Sequence, residues 1–380
     1  MKKKILTAAS YVLVAAVSAS AALFASGYGG ESKLTQLEDL IEERFIGEAQ
    51  TEALRDAAAE AMVSATGDRW SYYMSAAEYE SYLDQVDNSY VGVGLTIQQE
   101  GEEGFRILEV VSGGPAEEAG LAVNDLLVEV EGTDVRSLTV TDVRELVKGK
   151  AGTTVSLRVL RKGEQLSFTV ERRKVETPVA TWQLLDGNVG LVTIENFDTR
   201  CAEETMDAIE KLLDQGAKKL VFDVRYNPGG YAAELVKVLD YLLPEGELFR
   251  TVRYDGKEQV DKSDPDCLEI PMAVLVNASS YSAAEFFAAA LREYEAAVVV
   301  GEKTVGKGYF QTTYPLNDGS AVALSIGKYY TPNGVNLSEA GGLTPDVLVE
   351  LEEEIQTQLY YGTLPPEEDP QIRAAIEALK

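Results

Sequence analysis

From about Val189 onward the chain alternates short apolar runs with amphipathic stretches, and this alternation limits the fold more than any other feature of the sequence. The spacing predicts strand Leu191–Ile194, a helix over Glu203–Leu213 ending at Gly216, strand Leu220–Val224 and a helix over Ala232–Leu243 stopped by Pro244. Strand Met272–Asn277, helix Ala283–Tyr294 and strand Ala297–Val300 follow. Such a pattern implies an α/β layer on a largely parallel sheet, whose sites lie at the carboxyl ends of its strands.

Three of those strand ends carry unusual residues. Phe222-Asp-Val-Arg-Tyr-Asn-Pro-Gly-Gly230 runs from a strand into paired glycines just before a helix. Glycines let backbone N–H groups point into a site, as an oxyanion hole requires, although an ordinary strand-to-helix connection reads equally well from this segment alone. Leu275-Val-Asn-Ala-Ser-Ser-Tyr-Ser-Ala-Ala-Glu285 ends in a hydroxyl-rich turn, where Ser279, Ser280 and Ser282 each suit helix capping, the plainer reading of the segment by itself. A nucleophile there would gain from the positive helix end and from the next amide, that of Ala283. Val300-Gly-Glu-Lys-Thr-Val-Gly-Lys-Gly-Tyr-Phe-Gln311 opens into a glycine-rich loop that misses the P-loop register, with Gly308 where Ser or Thr belongs.

Composition decides which base is available. The chain contains no histidine. That excludes Ser-His-Asp and Cys-His catalysis, an HExxH zinc site and a histidine pH switch, leaving lysine and carboxylates. Lys307, flanked by glycines, is the available base, because burial lowers a lysine's proton affinity and a neutral amine can activate a serine. With 34 basic and 63 acidic residues the net charge is −29, which excludes nucleic acid and anionic membrane surfaces as partners by repulsion. Cys201 and Cys267 match no metal-binding spacing and read as free thiols in preference to a disulfide. Asp261, Asp264 and Asp266 miss the EF-hand spacing and mark a turn with Pro265, so neither metal nor cofactor is expected.

Residues 1–30 read as an address. Lys2, Lys3 and Lys4 precede an uncharged run whose apolar heart is Ile5–Phe24, the pattern of an export signal. The mature chain is expected outside the cytoplasm, either held by a single-pass anchor facing outward or released after cleavage near Ser18–Ala21. Residues 31–88 have helical spacing in Leu34, Leu37, Leu40, Ile41 and Phe45, then Leu54, Ala58, Ala61 and Met62. The plain reading is an apolar face packed on its own protein; a homodimer through these helices is the alternative.

Residues 89–175 change to short strands and turns: Val91–Ile97, Phe105–Val110, Leu126–Val130, Val155–Leu160 and Leu166–Val170, with one short helix near Thr141–Lys148. The run Ser112-Gly-Gly-Pro-Ala-Glu-Glu-Ala-Gly-Leu121, followed by Val123-Asn-Asp-Leu-Leu-Val-Glu-Val-Glu-Gly132, resembles PDZ domains. In that resemblance Gly92, Val93, Gly94 and Leu95 form the loop and strand that receive a peptide's C-terminal carboxylate on backbone amides, while the peptide adds as a strand.

Taken together, the Asn-Pro-Gly-Gly turn, Ser280-Tyr-Ser282-Ala-Ala-Glu285 and the Gly301–Gln311 loop resemble the carboxy-terminal processing peptidases, or tail-specific proteases. Lys328-Tyr-Tyr-Thr-Pro-Asn-Gly334, Gly342-Leu-Thr-Pro-Asp346 and Asp369-Pro-Gln-Ile372 extend the likeness. It implies a ClpP/crotonase-like α/β core over 176–352, an inserted, mostly β PDZ domain, the helical N-terminal segment and a C-terminal helical tail over 353–380. Carried over by position, Ser282 is the nucleophile, Lys307 the general base and Gln311 the residue that orients the lysine amine. Ala283 and one of Gly229 and Gly230 supply the oxyanion hole. The implied substrates are exported proteins with apolar C-terminal tails, cleaved through an acyl-enzyme; an unidentified activating partner stays open. Ala284, Tyr281 and Tyr226 depart from the family's usual residues without removing a catalytic atom. A non-catalytic PDZ scaffold would need Ser282 or Lys307 missing. A crotonase-like acyl-CoA enzyme conflicts with the export signal.

Overall fold

Ser32 starts the first helix by accepting the Thr35 amide at 3.1 Å, so that Lys33–Arg44 (α1) is capped in the usual way. Thr51–Ser64 (α2) and strand Tyr72–Met74 (β1) follow. The computed structural model describes residues 32–380, so the address segment lies outside the described residues. The chain divides into two bodies: residues up to Ala76 with Thr313–Leu324, and Ala77–Thr312 with Ser325–Lys380.

Within the first body β1 pairs antiparallel with Ala321–Ala323, Arg55 meets Glu38 at 2.6 Å, and Tyr73 Oη donates to Asp56 at 2.6 Å. The segment is helical as expected, with one strand added: Tyr72–Met74 gains a partner some 250 positions away that no local pattern reveals. Neither α1 nor α2 buries a residue, and Leu34, Leu37, Ile41, Leu54, Met62 and Leu316 line an open cavity of about 530 Å³.

The second body starts at Ala77, within the helix Ala76–Val86 (α3), and continues through Ser89–Gly92 (β2), Leu95–Gln99 (β3), Phe105–Val110 (β4), Pro115–Glu118 (α4), Leu126–Val130 (β5), Thr133–Asp134 (β6), Val140–Val147 (α5), Thr154–Arg161 (β7), Glu164–Glu171 (β8) and Arg173–Glu176 (β9). Strands β3-β4-β5-β7-β8 form one sheet around a core that includes Phe105, Ile107, Leu127, Leu157 and Val159. The incoming β2 and outgoing β9 pair antiparallel, the geometry of an insertion held on a two-stranded ribbon. The expected strand Val91–Ile97 is broken, because Gly94 adopts φ +77° and turns the chain between β2 and β3. The region also holds two helices, since Pro115 starts the short α4 from Gly114.

The remainder holds the α/β layer together with β13, β14, β17 and β18, which pair in a separate sheet: Ala180–Leu185 (β10), Val189–Ile194 (β11), Cys201–Asp214 (α6), Lys219–Asp223 (β12), Ala232–Leu242 (α7), hairpin Gly246–Arg253 and Glu258–Ser263 (β13, β14), Met272–Val276 (β15), Ala283–Glu293 (α8), Ala297–Gly301 (β16), Tyr309–Pro315 (β17), Ala321–Tyr330 (β18), Leu337–Ala340 (α9), Val347–Leu348 (β19), Glu353–Tyr360 (α10) and Pro370–Ala378 (α11). The sheet order is β10-β11-β12-β15-β16-β19, parallel from β11 onward, as the alternation implies. Alternating residues face two cores. Val192, Ile194 and Phe222 join α6, α7 and α8, whereas Leu191, Val221 and Leu275 meet Ile372 and Ala375 of α11. Arg225, buried just past β12, bonds Asp223 at 2.9 Å, Asp369 at 2.8 Å and Gln371 at 2.9 Å, fastening α11 below the strand ends. Both cysteines are free; burial pushes the Cys201 thiol up to about 12.

Candidate active site

The glycine turn after β12 is set by Asn227, which is fully buried. Its Nδ2 donates to Ile194 O at 2.8 Å and its Oδ1 accepts the Gly229 amide at 2.8 Å. Phe197 N donates to Gly229 O at 2.7 Å, and Tyr231 N to Phe197 O at 2.8 Å. Gly229 and Gly230 have φ of +92° and +147°. A Cβ on Gly229 would lie 2.6 Å from Ser282 Cβ and one on Gly230 2.3 Å from the Phe197 carbonyl carbon, so no side chain fits at either position. The two amides differ: Gly229 has spent its N–H on Asn227, while that of Gly230 has no acceptor among the described residues.

After β15 the three serines separate by role. Asn277 Oδ1 accepts the amides of Tyr226 at 3.0 Å and Ser279 at 3.1 Å. Ser280 is buried, donating to Val224 O at 2.7 Å and accepting Asn277 N at 3.0 Å, which makes it a brace between two strand ends. Ser282 stands at φ +59°, ψ −126°, a conformation that costs a residue with a Cβ about 1–3 kcal/mol and that clusters at functional sites. Its Oγ is hydrogen-bonded to Tyr329 Oη at 2.8 Å. The Ala283 amide, first in α8, is one of the donors that a helix start leaves unpaired.

Glu285 joins this turn to the lysine loop. It is wholly buried and accepts the amides of Ser282 at 3.0 Å, Gly306 at 2.7 Å and Lys307 at 2.9 Å, together with the Thr304 hydroxyl. Burial pushes its carboxyl upward, and these four donors pull against that shift. Lys307 is half-buried, with Nζ 5.7 Å from the centroid of the Tyr281 ring. Gln311, on β17, gives its Nε2 to Ser325 Oγ at 3.0 Å and Tyr309 O at 3.3 Å.

Two further residues belong to this region. Tyr329 is one; it lies within the Lys328–Gly334 run that resembles the family's closing strands, although nothing in that run marks its hydroxyl as a partner of Ser282. Asp198 is the other. It follows Phe197 beside Gly230, and burial pushes its carboxyl up to about 7. The Tyr281 phenol is raised by burial and secondarily by the Asp198 charge.

In the inserted module, Val93 O accepts the Ala116 amide at 2.9 Å and Gly94 O accepts Val111 N at 3.0 Å. Gly92 ends β2 and Leu95 begins β3, the edge strand of its sheet, with α5 packed against it.

Residues 188–349 match the family described as Peptidase family S41, and residues 106–161 match the PDZ domain. The chain is 31% identical over 357 residues to the carboxy-terminal processing protease CtpA of Bacillus subtilis, covering 90% of this chain and 76% of that protein. The chain belongs to the S41 family of carboxy-terminal processing proteases. A probable CtpA-like serine protease of Staphylococcus saprophyticus is 31% identical over 322 residues, covering 84% of this chain and 65% of its own length. Among solved structures, the photosystem II D1 C-terminal processing protease matches with a TM-score of 0.50 and 27% identity over 91% of this chain and 93% of that one. A putative S41 protease from Bacteroides fragilis shares the fold at a TM-score of 0.56 and 19% identity, over 84% and 89%. This S41 member is a serine-type peptidase with a PDZ domain, and its substrates are proteins.

Proposed function

We propose that the chain cleaves exported proteins whose apolar C-terminal tails it recognises through the PDZ module, by a Ser282–Lys307 dyad. The observation that carries this reading is the shared brace: one buried carboxylate, Glu285, holds the strained Ser282 turn and the Lys307 loop together. In the reaction neutral Lys307 takes the Ser282 proton as Oγ attacks the scissile carbonyl, then returns it to the leaving amine; water hydrolyses the acyl-enzyme. The oxyanion is received by the amides of Gly230 and Ala283, because the Gly229 amide is already bound by Asn227. Gln311 keeps the base oriented by accepting an N–H of the lysine amine on its Oε1. The peptide tail adds along the free edge of β3, with its carboxylate on the amides of Gly92–Leu95. The address over Lys2–Phe24 delivers the chain outside the cytoplasm, and the exposed faces of α1 and α2 are where a second copy would dock.

The test is cleavage of an unfolded protein ending in an apolar tail, compared with its tail-amidated form and with Ser282→Ala. The reading expects rapid cleavage of the free-tailed substrate, slower cleavage of the amidated one and none by the variant. Equal cleavage of both tails removes the PDZ role, and cleavage by Ser282→Ala removes the nucleophile.

A further inference from the structure

The hydroxyl partner of Ser282 is a tyrosine held with little freedom. Tyr329 is 6% exposed, edge-on to Phe286 at 4.7 Å, stacked on Phe310 at 5.8 Å and tilted against Phe249 at 5.3 Å. Its backbone is joined to the lysine loop. Tyr329 N donates to Gly308 O at 3.2 Å, and Asn336 Nδ2 donates to Gly308 O and to Tyr329 O, each at 2.9 Å. One residue thus fixes the serine oxygen relative to the segment that carries Lys307.

Proton accounting gives the direction of the bond. Among the described residues, Ser282 Oγ is the hydrogen-bond partner of the phenol. Were the serine to donate, the phenol proton would be buried without an acceptor, at a penalty set by desolvation of the O–H. With the phenol donating, its proton has the serine oxygen as acceptor, and the serine's own proton stays available to a base. Burial also pushes the phenol well above its ordinary value, so it remains protonated and remains a donor.

We propose that Tyr329 is a further catalytic residue, a permanent hydrogen-bond donor to Ser282 Oγ that fixes the serine rotamer and turns its O–H toward Lys307; this rests on Ser282 being the nucleophile. During attack the Ser282 O–H bond breaks and its proton passes to the Lys307 amine. The oxygen's electron pair forms the bond to the carbonyl carbon, and the carbonyl π pair moves onto its oxygen. Tyr329 loses no proton. Its donation stabilises the charge passing through Oγ, in acylation and again when Oγ departs from the acyl-enzyme.

Diisopropyl fluorophosphate measures Oγ reactivity without a peptide or the PDZ module. The rate at which it labels Ser282, followed by mass spectrometry, is compared in the wild type, in Tyr329→Phe and in protein carrying a fluorinated tyrosine at position 329 alone. Labelling by Tyr329→Phe is expected to slow by about 10- to 100-fold, with kcat for a peptide falling in step and KM unchanged. In the fluorinated protein, labelling falls as phenolate absorbance appears with rising pH, a limb that a packing role does not create. Wild-type labelling rates in a folded Tyr329→Phe, or a fluorinated protein whose rate is indifferent to ionisation of residue 329, would overturn the proposal. Should Tyr329→Phe fail to fold, the fluorinated protein decides alone. Absence of Ser282 labelling in the wild type overturns the nucleophile itself, an outcome the wild-type control separates from loss of the tyrosine's role.

Discussion

The Ser282 turn and the Gly92–Leu95 loop both suit binding of negatively charged oxygen by backbone amides, and they are built to different stiffness. Around Ser282, the side chains of Asn227, Asn277, Ser280 and Glu285 tie down three strand ends from inside the body. The PDZ loop is fastened through its backbone, by the bonds from Ala116 to Val93 and from Val111 to Gly94 and by the strand pairings of Gly92 with Arg173 and Leu95 with Val110. The contrast fits the two proposed tasks. An oxyanion exists only in passing, so its donors must be in place beforehand; a peptide carboxylate is permanent and can draw a looser loop around itself.

The comparison breaks first at the chemistry. Lys307→Arg is expected to fold like the wild type and to lose at least about 10⁴-fold in kcat, because guanidinium stays protonated. Cleavage assays paired with thermal melts check this. Glu285→Gln comes next: its amide group would oppose two of the N–H donors it now accepts. A loss of about 100-fold in kcat and of about 2–4 kcal/mol in stability should appear in cleavage and urea titration. Disrupting the softer loop should do less. Gly94→Val forces a branched side chain into φ +77° beside Val111. Its KM for a tail-bearing substrate should rise about 10-fold with kcat intact, while tail-amidated substrate is unaffected. A kcat collapse in Gly94→Val equal to that of Glu285→Gln would erase the distinction in stiffness.

The smallest effect concerns Asp198 and pH. Its folded carboxyl is pushed up to about 7 by burial, above the unfolded value of 3.8. Between those values the unfolded chain gives up this proton while the folded chain keeps it, so this group removes stability as pH rises and the loss is complete above about 7. Asp198→Asn lacks that penalty. Its Tm should match the wild type near pH 4 and exceed it by about 1–3 °C at pH 8, as melts at both values will show.

Legibility followed the range of the interactions. The parallel sheet could be read because each strand–helix alternation is local, and Ser282 and Lys307 could be proposed because each sits in a short motif at a strand end. Glu285 was visible only as a motif letter. Its bracing role depends on Thr304, Gly306 and Lys307, 19 to 22 positions away in sequence. Tyr329, 47 positions from Ser282, was visible only as a letter of the Lys328–Gly334 run, and Asp198 looks like an ordinary loop residue until the fold brings it to the site. In the N-terminal helices the spacing identified the apolar faces but held no information on what covers them, and the structure leaves them lining a cavity.

The central claim is that Ser282 attacks with Lys307 as its base. Mass analysis of peptides after treatment with diisopropyl fluorophosphate tests it most directly, run on wild type, Ser282→Ala and Lys307→Arg. The account predicts one adduct, on the peptide containing Ser282 and in the wild type alone. An adduct on another serine, or wild-type labelling of Ser282 in folded Lys307→Arg, would contradict it.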